Sequence, residues 1–228
     1  MTASGRQPDP HVRRRTVTTP PTTRTAARAA GRAARRDELL DAADRAIRRD
    51  GPEVSMEQLA AEAGITKPVL YRHFGDRGGL LDAVATRHAR RLTDELRTSM
   101  AEQRHPRERI RTVVATYLAF LDRDPELHRF VTRVAPAERP AARSAIDDAL
   151  TVLCDEVVVA VERELSGARL DPTPATTWGV GMVGMVQLVA DRWLDERRED
   201  REVLVDRLTD LLWHGFRGIV LRGPDPTG

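Results

Sequence analysis

Apolar residues recur along this chain at intervals of three and four, and no stretch shows the alternation that marks a half-buried strand. Leu39, Leu40, Ala43, Ala46 and Ile47 form the first such stripe, which Gly51-Pro52 ends. A second helix opens at Ser55-Met56-Glu57-Gln58, a capping box in which Ser55 caps and Gln58 reaches back. It runs through Leu59, Ala60 and Ala63 to Gly64, the usual residue for a left-handed position after a helix. Thr66 is placed to cap a short third helix from Lys67 to His73, where Pro68 is tolerated because first-turn amides have no partner within the helix. Asp76 is placed to cap a fourth helix that runs to about Met100.

Five further helical stretches follow: Pro106–Arg123, Pro125–Ala135, Ala141–Leu165, Ala175–Arg197 and Arg201–Leu221. Breaks are expected at Pro136–Pro140 and Gly167–Pro174. The pattern predicts an all-α fold of about nine helices. Residues 1–31, rich in Pro, Thr, Arg and Ala, have almost no apolar periodicity and are expected to be a disordered arm, with order beginning near Arg32. The expected organisation is the arm, a small helical domain over 32–83, a helical body over 84–222 and a tail over 223–228.

Composition sharpens this picture. With 40% hydrophobic and 32% charged residues the chain should fold, and with only 4% aromatics its core must be mostly aliphatic. The net charge of +2 hides an asymmetry: residues 1–36 hold nine arginines and one acid, which leaves the rest acidic. A basic arm of this kind suits phosphate, in nucleic acid or at a membrane surface. The longest apolar run, Trp178–Ala190, is shorter than the roughly 20 residues needed to cross a bilayer. No apolar segment marks an export signal, and the single cysteine, Cys154, excludes an internal disulfide framework. A cytoplasmic protein with no membrane partner is the expectation.

A helix, a three-residue turn containing Gly64 and a second short helix make a helix-turn-helix, which reads DNA by laying its second helix in the major groove. On that helix Lys67, the only lysine in the chain, can donate to guanine or to a phosphate. Pro68 and Val69 offer apolar contact to a thymine methyl, Tyr71 and His73 can donate to phosphate, and Arg72 can do either job. Ile65, Leu70 and Phe74 are expected to anchor the helix inward.

The string Leu39-Leu40-Asp41-Ala42-Ala43, Ser55 to Ala60, Gly64-Ile65-Thr66-Lys67, Leu70-Tyr71-Arg72-His73-Phe74 and Leu80-Leu81 resembles the DNA-binding domain of the TetR family of bacterial transcription regulators. The resemblance covers about residues 33–85. It implies that Lys67, Pro68, Val69 and Arg72 face base edges, that Tyr71 and His73 contact phosphates or neighbouring bases, and that Thr66 holds a phosphate at the helix start. Arg77 stands where relatives often carry a phosphate-binding lysine. The chain departs from the pattern at Gly78-Gly79, where relatives usually have helix-forming residues; a hinge, a close approach to phosphate and simple drift all remain open.

The resemblance further implies a ligand pocket in the body and dimerisation through the last two helices. Candidate pocket residues are Tyr117, Phe120, Phe130, Val134, Leu153, Cys154, Val157, Trp178 and Met182, a lining suited to a small apolar effector. Candidate dimer residues are Gly181, Met185 and Leu188 on one helix and Leu204, Leu208, Leu211 and Phe216 on the next. The partners implied are double-stranded DNA at a palindromic operator, the effector and a second copy of the chain.

Neither catalysis, a metal nor a cofactor is expected. The six histidines are scattered without metal-ligand spacing, Cys154 lies among valines, and no glycine-rich phosphate loop occurs. The function that the resemblance implies is a ligand-responsive repressor. An activator of the same fold and a constitutive DNA binder are the alternatives.

Overall fold

A computed structural model describes residues 23–102, 105–138 and 140–220. Those residues are helical throughout apart from short connections, and no strand occurs among them. The helices are α1 Thr23–Asp50, α2 Met56–Glu62, α3 Lys67–Phe74, α4 Arg77–Glu102, α5 Pro106–Arg123, α6 Pro125–Arg129, α7 Ala135–Glu138, α8 Pro140–Gly167, α9 Ala175–Glu196 and α10 Arg201–Val220. A π-helical turn, Phe130–Val134, joins α6 to α7. Taken with that turn as one interrupted helix, α6 and α7 bring the total among described residues to nine.

Two boundaries differ from the sequence expectation. Helix α1 begins at Thr23, ahead of Arg32, because Thr23–Arg36 is mostly alanine and arginine, which favour helix without any apolar stripe to advertise it. The rest of the proposed arm, residues 1–22, and the tail at 223–228 lie outside the described residues. The second difference is at Pro136–Pro140, where a break was expected: Ala135–Glu138 is helical and Pro140 is the first residue of α8. Pro140 is tolerated because it sits in a first turn, where its missing N–H costs no helical bond.

The chain divides into two compact units, Met1–Asp37 and Glu38–Gly228. What is described of the first is the exposed opening stretch of α1. The second contains three hydrophobic clusters. One gathers Leu39, Leu40, Ile47, Leu59, Leu70 and Phe74 of the helix-turn-helix with Leu80, Leu81, Val84 and Ala85 of α4. Leu127, Phe130, Val131 and Ala135, from α6 to α7, belong to that same cluster. The next joins Leu96 of α4 to α5, α9 and α10, and a small third cluster lies between α8 and α9. Gly179 permits the close α8–α9 crossing, since a Cβ there would stand 2.8 Å from Val158 Cγ2.

Helix α4 is shared between the first two clusters. Buried Asp44 of α1 pairs with Arg87 (2.6 Å) and Arg91 (2.9 Å) on α4, which fixes the two helices side by side. Arg48, near the end of α1, pairs with Asp124 at the start of α6, with Nη2 2.9 Å from Oδ2.

Candidate functional site

The helix-turn-helix forms as its local signals require. Ser55 and Gln58 complete the capping box, with Ser55 N 2.9 Å from Gln58 Oε1 and Gln58 N 3.3 Å from Ser55 Oγ. Gly64 adopts φ +65°, the left-handed conformation that lets α2 end and the chain turn into α3. Thr66 takes the extended N-cap conformation, but its hydroxyl makes no capping bond. Leu70 and Phe74 are buried and hold α3 to the core, with Ile65 and Tyr71 packed at its margin. The opposite side presents Thr66, Pro68 and Arg72 to solvent, with Lys67, Val69, Tyr71 and His73 half-buried around them. Arg77, half-buried, opens α4 beside them.

Lys67 has a neighbour that the sequence does not announce. Its Nζ lies 2.5 Å from Glu57 Oε1 on α2 and 5.9 Å from the centre of the Tyr71 ring. The hydrogen bond raises the lysine pKa and lowers that of Glu57, so both stay ionised and hold each other. Any partner of this ammonium must therefore compete with Glu57.

The turn between α3 and α4 explains one of the two unexpected glycines. Gly75 has φ +83° and donates its N–H to the Tyr71 carbonyl at 2.6 Å. Asp76 accepts from the Gly79 amide at 2.7 Å and caps α4. A Cβ on Gly79 would fall 1.9 Å from the Phe74 carbonyl oxygen, an overlap with backbone that no side-chain rotation relieves. Glycine at 79 is thus a packing requirement of the tight corner.

Farther along α4, His88, Leu92, Leu96 and Met100 line a cavity of about 190 Å³ with residues of α5, α8 and α9. Val131 and Thr132 of the π-helical turn, His128 of α6, and Leu212 and Trp213 of α10 complete it. Helix α5 contributes the stripe Ile110, Val113, Val114 and Tyr117, and α8 contributes Leu150, Leu153, Val157 and Val161. The wall is mostly apolar, with Thr93, Thr132 and Gln187 among its few polar members, which suits an apolar ligand. At one edge Arg109 and Glu164 pair at 3.1 Å. Among the buried wall residues are His88, Tyr117 and His128. Burial lowers the His88 pKa to about 3, with His128 as the next cause, so this ring is neutral. Burial likewise raises the Tyr117 pKa, which keeps the phenol protonated.

Four of the nine expected pocket residues, Tyr117, Leu153, Val157 and Met182, line this cavity. The other five are placed elsewhere. Phe120 lies behind His88, ring centres 4.8 Å apart, and Phe130 is buried in the helix-turn-helix cluster with Val134 packed against it. Cys154 lies one position beyond Leu153 and so turns off the lining stripe. Trp178 is a helical turn before Met182 and packs on the small α8–α9 cluster. Sequence reasoning missed His88 and His128. A histidine within the apolar stripe Val84, Ala85, Ala89 and Leu92 was the available signal for the first, whereas His128 joins it only through folding.

The expected dimer residues also separate. Gly181, Met185 and Leu188 share an exposed face of α9, with Leu188 73% exposed, and added Cβ atoms at Gly181 and Gly184 would meet nothing within 4 Å. On α10, Leu211 is 56% exposed, whereas Leu204 and Leu208 are buried in the chain's own α4–α5–α9–α10 cluster. Those two are core positions and offer nothing to a partner. Val203 takes their place on the exposed side, and the side chain of Phe216 lies outside the described residues.

Among the described residues no group of His, Cys, Asp or Glu is arranged to hold a metal, and no helix is long and apolar enough to cross a membrane.

Comparison with known proteins agrees with this architecture. Residues 39–84 match the model for bacterial regulatory proteins of the tetR family, and residues 95–220 match the tetracyclin repressor-like C-terminal domain. An uncharacterized HTH-type transcriptional regulator from Mycobacterium tuberculosis is 32% identical over 190 residues, covering 83% of this chain and 80% of its own. The HTH-type transcriptional activator FasR from Mycolicibacterium smegmatis is 28% identical, covering 82% and 85% respectively. Among solved structures, the transcriptional regulator FadR from Bacillus subtilis in complex with stearoyl-CoA superposes with a TM-score of 0.61 at 16% identity, covering 77% of this chain and 96% of that one. With a helix-turn-helix at one end of α4, an apolar cavity at the other and both halves matched by family models, this chain belongs to the TetR family of bacterial transcriptional regulators.

Proposed function

We propose that the chain is a homodimeric repressor that binds a palindromic operator through α3 and releases it when an apolar effector enters the cavity. The observation that carries this reading is the double duty of α4. Its first turns, at Leu80, Leu81, Val84 and Ala85, pack into the helix-turn-helix core, and its later turns, from His88 to Met100, form cavity wall. Helix α4 is about 39 Å long at 1.5 Å per residue, so a small tilt at the cavity becomes a larger displacement at α3. Two recognition helices must sit about 34–36 Å apart to enter successive major grooves. An effector that favours a different spacing by a few kcal/mol releases the DNA.

Thr66, Lys67, Pro68, Val69, Tyr71, Arg72, His73 and Arg77 form the proposed DNA face. The exposed apolar face of α9 with Leu211 and Val203 of α10 forms the proposed contact with a second copy, which a palindromic site requires. The stearoyl-CoA bound by the FadR structure supports an apolar effector for this fold. The name of the FasR relative supports a second reading, an activator with the same site architecture.

Selection of bound fragments from genomic DNA, followed by a reporter fused to the selected promoter, tests both. Repression by the protein that is relieved by ligand supports the first reading. Expression that requires the protein supports the second, and no sequence preference among the fragments contradicts both.

A further inference from the structure

On the reading that this cavity is the effector site, the kind of polar group its ligand carries is written in two buried rings. His88 and His128 are each 6% exposed, their ring centres are 5.7 Å apart, and both line the cavity. Each leaves one nitrogen buried without a hydrogen-bond partner, Nε2 of His88 and Nδ1 of His128. A buried polar atom left unpaired costs stability, so such a pair in a mostly apolar wall marks where a ligand's polar group belongs.

Asp191 fixes where one hydrogen of the His128 ring lies. His128 Nε2 lies 3.1 Å from Asp191 Oδ1, and a carboxylate only accepts, so Nε2 carries the hydrogen. When that is the ring's one hydrogen, the orphaned Nδ1 is an acceptor and needs a donor. Two of the cavity's hydroxyls, those of Thr93 and Thr132, are already spent, donating to the carbonyls of Ala89 and His128. The cavity's cation, Arg109, is held by Glu164, whereas Asp191 stands directly behind His128. An anionic head group beside the histidines would be desolvated next to that carboxylate. Carboxylates and thioesters, moreover, supply only acceptors.

We propose that the cavity takes a neutral, largely apolar molecule bearing a hydroxyl or phenol group, whose O–H donates to Nδ1 of His128. The hydroxyl oxygen remains able to accept, and His88 Nε2 is the available donor when that nitrogen carries the ring hydrogen. A space of about 190 Å³ suits a ligand of modest size, close to the engineered cavities that take up single aromatic rings.

Calorimetric titration of the full chain with 1-decanol, sodium decanoate and methyl nonanoate tests the proposal. Wild type should bind the alcohol about tenfold or more tightly than the acid anion or the ester, the worth of one well-made hydrogen bond to a buried group. His128→Phe should reduce the alcohol's advantage over the ester to near unity while the ester still binds. Asp191→Asn, whose amide can donate as well as accept, frees the tautomer and should erode the same preference without abolishing alcohol binding. Equal or tighter binding of anion or ester by wild type overturns the proposal. So does a preference that survives both substitutions, or failure of the alcohol to bind.

Displacement from selected operator DNA is measured alongside. An alcohol that binds without affecting DNA contradicts the effector reading and leaves the ligand class standing. An anion or ester that binds and releases DNA does the reverse.

Discussion

At the level of single side chains, the proposed DNA reading turns on Lys67 and Glu57. The ammonium sits in the first turn of α3, and the carboxylate of α2 holds it at 2.5 Å. Lys67→Ala should relax preference at one base pair by about tenfold, measured by competition between operator variants. Uniform weakening across all sequences would instead assign Lys67 to a phosphate. Glu57→Gln removes the competitor and should strengthen operator binding about two- to fivefold, the range of an exposed ion pair.

His88 gives a second residue-scale test. Its folded pKa of about 3 lies below the ordinary 6.5 because burial disfavours the charged ring. As pH falls below 6.5 the unfolded chain gains a proton that the folded chain refuses, so stability declines at up to about 1.4 kcal/mol per pH unit. Urea denaturation should therefore show wild type losing more stability between pH 7 and pH 5 than His88→Gln. Parallel profiles would mean that the ring is charged in the fold.

Among the elements, the corner from α3 to α4 is the most constrained. Gly79→Ala places a Cβ against the Phe74 carbonyl and should cost about 2 kcal/mol or more, visible as a lower Tm. An unchanged Tm would show that the corner opens readily. The helix-turn-helix was legible because its signals are local: a capping box at Ser55, a glycine at 64, a capping aspartate at 76. The body was legible only as a set of helices. Which face of each helix meets the cavity depends on packing between distant segments, and the π-helical turn at Phe130–Val134 changes the register within one of them. Val131 and Thr132 consequently line the cavity while Phe130 does not. Leu204, Leu208 and Leu211 look alike in sequence, and only the neighbouring helices show that the first two are core and the third is surface. The early start of α1 escaped notice because helix propensity without an apolar stripe leaves no periodic trace.

For the whole molecule, the proposed assembly rests on the exposed face of α9 and α10. Leu188 is 73% exposed, so Leu188→Glu should leave the fold intact, with an unchanged circular dichroism spectrum. It should also turn a dimer into a monomer by light scattering and abolish high-affinity binding to a palindromic operator. A Leu188→Glu protein that remains dimeric places the interface elsewhere.

The central claim is that the cavity and α3 are coupled through α4, and operator binding at saturating ligand measures it most directly. Fluorescence anisotropy of a labelled operator fragment would be followed as a ligand, shown by calorimetry to fill the cavity, is added. The coupling predicts that operator affinity falls about tenfold or more, as 1–3 kcal/mol of coupling free energy requires. An operator affinity that stays the same with the cavity full would contradict it.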